Sequence, residues 1–295
     1  MLKVVSRSKI WFSFSGILTI ASIVLFLVWG LKLGIDFKGG SLSELEFEKP
    51  VSPQELEQAV SQSGPRNVIV QPVSEKTIIV RTEPLQDEEL AKLKSVISEK
   101  FGAYKELSFE SIGPTISREL ARKAYWQIIL VVVGILLYIS YAFRNTGKSA
   151  KNAGVSSWRM GVSAIIALVH DLVITVGFFV VLGKYRGVEV DSLFITALLT
   201  ILGFSVHDTI VVFDRIRENL QKFPYKSLET IIDYSTDSTL ARSINTSSTL
   251  IIVLVSMLLF GGQSIFNFVL ALLFGVTIGT YSSIFNASPI LYYWS

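Results

Sequence analysis

Six long apolar runs set the rhythm of the chain: 10–31, 124–143, 160–183, 193–213, 243–262 and 267–291. Each is long enough, at 1.5 Å per residue, to cross a hydrocarbon layer of about 30 Å. Between the first two the pattern changes. Residues 43–48 alternate as a strand, and 52–55, Ser-Pro-Gln-Glu, form a capping box with proline at the first helical position. Leu56, Ala59 and Val60 then share one side of the helix so opened. The β-branched runs 68–70 and 77–81 read as a hairpin. Residues 87–101 put Leu90, Leu93, Ile97 and Phe101 on one helical face, with Gly102 as the C-terminal cap, and 105–112 read as a final strand.

The order is βαββαβ. A weak repeat supports it, since KPVSPQEL at 49–56 resembles EPLQDEEL at 83–90. Two such halves predict a ferredoxin-like split sandwich. The stretch 214–241 is not a span: Ile216, Leu220 and Phe223 repeat at helical spacing, Pro224 interrupts, and Leu228, Ile231 and Ile232 resume. It reads as two short amphipathic helices lying along the membrane surface. The 263–266 segment reads as a tight turn. The fold class is thus a polytopic α-helical membrane protein with six transmembrane helices and one small α+β ferredoxin-like domain. Residues 1–31 form a cytoplasmic N-terminus and first span, 32–123 an extracytoplasmic domain with its linkers, and 124–295 a five-helix transmembrane domain.

Composition agrees: 50% of residues are hydrophobic and 17% charged, a balance that excludes an ordinary soluble domain. A net charge of +3 is too small to suggest a nucleic-acid partner. The absence of cysteine removes disulfides, thiol catalysis and cysteine metal sites. No phosphate-binding loop, zinc spacing or nucleophile elbow occurs, so the reading is of a non-enzyme without cofactor or metal. The first run, with no charge in its 22 residues, is too long for a signal-peptide core. Lys3, Arg7 and Lys9 precede it, and Arg144, Lys148, Lys151 and Arg159 crowd the second loop without an acid. These bases put both termini in the cytoplasm and 32–123 outside. No basic flank follows the last run, which leaves room for the natural chain to continue.

Charge inside the runs carries the chemistry. Asp208 lies within 193–213, where an acid costs roughly 2.5–3.5 kcal/mol on insertion scales. Helical spacing puts Thr200, Ser205 and Arg215 on its face. The fifth run opens with a second stripe of Arg242, Asn245, Thr246 and Thr249, and Arg242 is the natural counter-charge for Asp208. Low dielectric favours the protonated acid and a nearby arginine the carboxylate. A motion that changed their separation would load and release a proton; the plainer alternative is a structural ion pair. His170 and Asp171 lie mid-run in the third span, as an extension of a relay or as a helix–helix hydrogen bond. His207 points away from Asp208. Ala271, Gly275, Gly279, Ser283 and Ala287 form a small-residue seam, internal or toward a partner. GIDFKGG at 34–40, with Gly34, Asp36, Phe37, Gly39 and Gly40, reads locally as a turn or hinge.

The motifs GIDFKGG, IGPTISREL at 112–120 (with Gly113 and Pro114), VHDTIVVFDRIREN at 206–219 and RSINTS at 242–247 occur in this order with six spans. In this the chain resembles the SecD/SecF family of bacterial protein-export membrane proteins, within the resistance–nodulation–division superfamily. The resemblance covers essentially the whole chain. It implies an inner-membrane location, a SecD-like partner subunit, the SecYEG channel, an emerging polypeptide as substrate, and protons as the coupling ion. It also implies that proton flow drives a swinging outer domain, with Asp208 as the proton carrier and Arg242 as the arginine of the second motif. Two alternatives stand beside it, a small-molecule half-transporter and a scaffold without energy coupling. The single small outer domain argues against the half-transporter.

Overall fold

The computed structural model describes residues 3–144 and 154–295. Lys148 and Lys151 of the second loop lie outside these residues. Among the described residues, six helices are long and apolar enough to cross a membrane: Ser8–Trp29, Pro114–Ala142, Ser157–Arg186, Ser192–Lys222, Leu228–Phe260 and Ser264–Trp294. Most overrun their apolar runs, and in three of them capping groups mark the start. The hydroxyls of Ser156 and Ser227 and the carboxylate of Asp191 accept backbone N–H groups in the first turns of the third, fifth and fourth spans. Gly187, in the left-handed region, closes the third.

The chain forms two compact units, one of Met1–Lys32 with Trp126–Ser295 and one of Leu33–Tyr125. In the helical unit the 214–241 connector corrects its sequence reading. The fourth and fifth spans run unbroken into it, so it is a hairpin of two span ends rather than separate helices on the membrane surface. The reason is packing. Ile216, Leu220, Ile231 and Ile232 join Val212 and Phe213 in the main buried cluster, so the apolar faces cover each other instead of lipid. Asn219 Nδ2 donates to Ser235 Oγ at 2.9 Å across the hairpin. The Val5 N–H donates to Asp233 Oδ1 at 2.9 Å, tying the N-terminal segment to the same place.

The first span buries only Ser8, Ser15 and Ser22. Their spacing of seven gives one narrow seam along an otherwise apolar helix. Ser8 Oγ lies 2.9 Å from Tyr293 Oη, and Ser15 Oγ lies 3.1 Å from Tyr281 Oη. Ser22 sits so close to Gly177 of the third span that a Cβ there would collide with it. The sixth span's small-residue seam packs inside the chain, with Gly275 against Ile201 and Gly279 against Ser205 of the fourth span. A five-residue π-helical segment, Ser283–Ala287, interrupts it before Ser288–Trp294.

The small unit holds β1 (Gly40–Phe47), β2 (Ile69–Pro72), β3 (Thr77–Thr82) and β4 (Tyr104–Ile112), an antiparallel sheet in the order β2-β3-β1-β4. With helices Pro53–Gln62 and Asp87–Phe101 between them, this is the ferredoxin-like βαββαβ order. Strand alternation turns Leu45, Phe47, Ile78 and Val80 onto Leu56, Val60, Leu93 and Ile97 of the helices. The capping box at 52–55 is a correction: Ser52 makes no side-chain cap bond. Pro53, which lacks an N–H and has a helical φ, starts that helix without it. A closed capping box occurs instead at Gln86 and Glu89.

Candidate intramembrane polar site

Asp208, on the fourth span, is only 2% exposed. Ser243 and Ser247, four residues apart on one face of the fifth span, lie within interaction range of its carboxyl group. The interaction stops short of hydrogen bonding at two atoms: among the described residues, neither Asp208 Oδ2 nor Ser243 Oγ has a partner. Ser247 Oγ is bonded at 2.6 Å to Thr280 Oγ1 of the sixth span. Three spans therefore converge on the acid. The close approach of Gly279 to Ser205 is what lets the sixth span come so near the fourth.

Arg242 is elsewhere. One residue of helix turns a side chain by about 100°, so the face that buries Ser243 and Ser247 leaves Arg242, Asn245, Thr246 and Thr249 exposed. Thr246 and Thr249 bond back to the carbonyls of Arg242 and Asn245. No ion pair joins Arg242 to Asp208 among the described residues, and the predicted pair is not brought together in this conformation. Thr200 is likewise exposed and donates to the Thr196 carbonyl. Arg215 pairs with Glu218 at 2.7 Å. His207 is exposed as well.

Ser205 is buried, and it serves the other acid. Asp171 is 0% exposed. Its Oδ2 accepts Ser205 Oγ at 2.6 Å and Ser282 Oγ at 2.7 Å, and its Oδ1 lies 2.9 Å from His170 Nδ1. His170 Nε2 lies 3.3 Å from Asn286 Nδ2, which donates to Ser15 Oγ at 2.8 Å. The two acids thus differ: Asp171 is fully engaged by three donors, while Asp208 keeps one oxygen unpartnered.

Ser243, Ser247, Ser282, Asn286 and Ser15 are contacts that the structure adds to the site. Ser243 and Ser247 were within reach, being an i, i+4 pair inside RSINTS. Nothing local marks the others.

In the small unit two motifs meet. Gly34 precedes the single turn Ile35–Lys38, where Asp36 is buried and Phe37 half-buried. Gly39 and Gly40 take φ of +78° and +144°. A Cβ on Gly39 would lie 3.2 Å from the Ile112 carbonyl oxygen, near Pro114 and Ser117. One on Gly40 would lie 2.8 Å from the Thr82 carbonyl oxygen. GIDFKGG therefore forms a packed corner where β1 starts against β3 and β4, beside Gly113 and Pro114. No group of three His, Cys, Asp or Glu side chains among the described residues is placed to hold a metal ion.

A sequence profile described as "Protein export membrane protein SecD/SecF, C-terminal" matches residues 92–295, and one for the SecD/SecF GG motif matches residues 24–51. The protein translocase subunit SecF of Thermobaculum terrenum is 42% identical, covering 100% of this chain and 94% of that protein. The protein translocase subunit SecDF of Bacillus subtilis is 35% identical over 98% of this chain but only 37% of its own length. The crystal structure of SecDF from Thermus thermophilus, a translocon-associated membrane protein, superposes with a TM-score of 0.85 at 29% identity, covering 98% of this chain and 38% of that one. Six membrane-spanning helices, the βαββαβ domain, the matched motifs and these relatives lead to one conclusion: the chain is a multi-pass membrane protein that belongs to the SecD/SecF protein-export family.

Proposed function

We propose that this chain is the SecF-like subunit of a bacterial Sec translocase. With a SecD-like partner it uses the proton motive force to promote late steps of export through a SecYEG channel, without enzymatic chemistry. The observation that carries the reading is the buried Asp208, whose Oδ2 has no partner among the described residues and faces a Ser243 hydroxyl that also has none among them. A proton on Oδ2 makes that atom a donor, and a small approach of the fourth and fifth spans would let Ser243 Oγ accept from it. When the proton leaves, the acid carries an unmatched charge in low dielectric, which is costly. Arg242, adjacent to Ser243, is the cation that a turn of the fifth span would bring round. One charge crossing 100 mV is worth about 2.3 kcal/mol, enough to bias such a two-state element.

The stripe of Arg242, Asn245, Thr246 and Thr249 supports a membrane partner. It is exposed in this chain, and polar groups facing hydrocarbon are unfavourable unless protein covers them. Relatives in which one longer SecDF chain contains the matching region fit a SecD-like subunit in that place. The basic flanks at Lys3, Arg7, Lys9, Arg144 and Arg159 support cytoplasmic termini in an inner membrane, with the ferredoxin-like domain outside.

The test is Asp208→Asn in cells, with export followed while the proton gradient is present and after it is collapsed. The proposal expects the variant to lose the gradient-dependent part of export. Full gradient-dependent export with the variant stably present would refute it.

A further inference from the structure

The first span has few ways to hold its place. It is apolar almost throughout, buries only Ser8, Ser15 and Ser22, and borders a groove of about 220 Å³ lined by Ser22, Ile23, Phe26, Leu172, Val173 and Val176. Lipid competes well for such a surface, because apolar side chains gain little by leaving hydrocarbon for each other. Directional polar contacts then decide where the helix sits.

The central contact is Ser15. Its hydroxyl is bonded to Asn286, with Nδ2 at 2.8 Å and Oδ1 at 3.0 Å. Asn286 in turn meets His170 Nε2 at 3.3 Å. With His170 Nδ1 donating to Asp171, Nε2 is the ring atom left to accept from the amide. Asp171 closes the chain of contacts by accepting from Ser205, three residues before Asp208, and from Ser282. Asn286 lies in the π-helical segment Ser283–Ala287, and such insertions re-aim side chains and recur at functional sites. The hydrogen bonds thus run Ser205–Asp171–His170–Asn286–Ser15, through the fourth, third, sixth and first spans.

We infer that Asn286 is a positioning residue that latches the first span to the buried Asp171–His170 pair, so that a change in the arrangement around Asp171 reaches the first span. That span's C-terminal end continues into the small domain, which makes it a direct covalent route from the buried Asp171 to that domain. The inference concerns the link itself and does not depend on which ion Asp208 handles.

The chain has no cysteine, so nitroxide labels can be placed at will. Ile17 and Val169, 68% and 47% exposed on the first and third spans, take labels as Ile17→Cys and Val169→Cys without entering the packed seam. The full chain in lipid nanodiscs is measured by pulsed electron–electron resonance. The parent gives one dominant inter-label distance. Asp171→Asn, or the milder Ser282→Ala, raises the minor, displaced population on the order of fivefold, the change that one lost buried hydrogen bond produces. Asn286→Leu does the same, and in its presence neither Asp171→Asn nor Ser282→Ala adds anything. An amide that merely stabilised packing would leave that response in place. An unchanged distance distribution in Ser282→Ala and Asp171→Asn overturns the inference, as do effects that add to those of Asn286→Leu. Ser15→Ala runs the same cycle with the acid untouched, and additivity with Asn286→Leu there overturns it equally.

Discussion

Asp208 on the fourth span faces Ser243 on the fifth, and among the described residues neither Asp208 Oδ2 nor the serine hydroxyl has a hydrogen-bond partner. If this hydroxyl accepts a hydrogen bond from the protonated acid, Ser243→Ala should weaken gradient-driven export by about fivefold, the scale of one buried hydrogen bond. Asp208→Asn should cost more. Export of a radiolabelled precursor into protease-protected vesicles compares the two. Equal export by Ser243→Ala and the parent would remove the serine from the account.

Arg242 enters on the other arm of the cycle. Asp208→Asn and Arg242→Ala should be strongly non-additive in that assay, because the arginine matters only when there is a charge to meet. Losses that simply add would mean that the exposed position of Arg242 is its working position throughout.

Gly177 lets the first and third spans approach closely. A Cβ there would meet both the side chain and the backbone of Ser22, so a rotamer change alone cannot relieve the contact. Gly177→Ala should destabilise the detergent-solubilised chain by roughly 1–3 kcal/mol, the usual cost of overpacking. Thermal unfolding followed by size-exclusion recovery measures it. Gly203→Ala is the control, since a Cβ there meets no atom of the described residues within 4 Å.

Gly40→Ala tests the packed corner. The substitution places a Cβ 2.8 Å from the Thr82 carbonyl oxygen at a φ of +144°, a conformation that costs a non-glycine residue about 1–3 kcal/mol. Protease should then cut between β1 and β4 faster than in the parent, with the helical unit unaffected. Unchanged digestion would return GIDFKGG to the status of a hinge.

Asp233→Ala removes the acceptor of the Val5 N–H. A hydrogen bond to a carboxylate contributes about 2 kcal/mol, and its loss should free the N-terminal segment. Trypsin cleavage at Lys3, Arg7 and Lys9 should accelerate accordingly.

What could be read from the chain follows the range of each force. Span number and the βαββαβ order come from periodicities a few residues long, and the structure keeps them. The ends of the fourth and fifth spans do not, because Ile216 and Ile232 choose each other over lipid only once both helices are placed. Asp208 is legible as a costly acid. Its neighbour is not, since the one residue that separates Arg242 from Ser243 turns the side chain by about 100°, from a buried face to an exposed one. The donors to Asp171 are still less accessible. Ser205 and Ser282 lie 34 and 111 residues away, and Ser15 meets Asn286 across 271. No local pattern reports such distances, although the seven-residue spacing of Ser8, Ser15 and Ser22 was available as a clue.

The most direct measurement is proton entry into vesicles that contain the chain with a SecD-like partner and an engaged polypeptide, followed with an internal pH-sensitive dye after an imposed gradient. Flux in the parent that falls to the level of empty vesicles in Asp208→Asn, at equal reconstituted protein, is the predicted result. Equal flux in the two would contradict the claim that Asp208 carries the coupling proton.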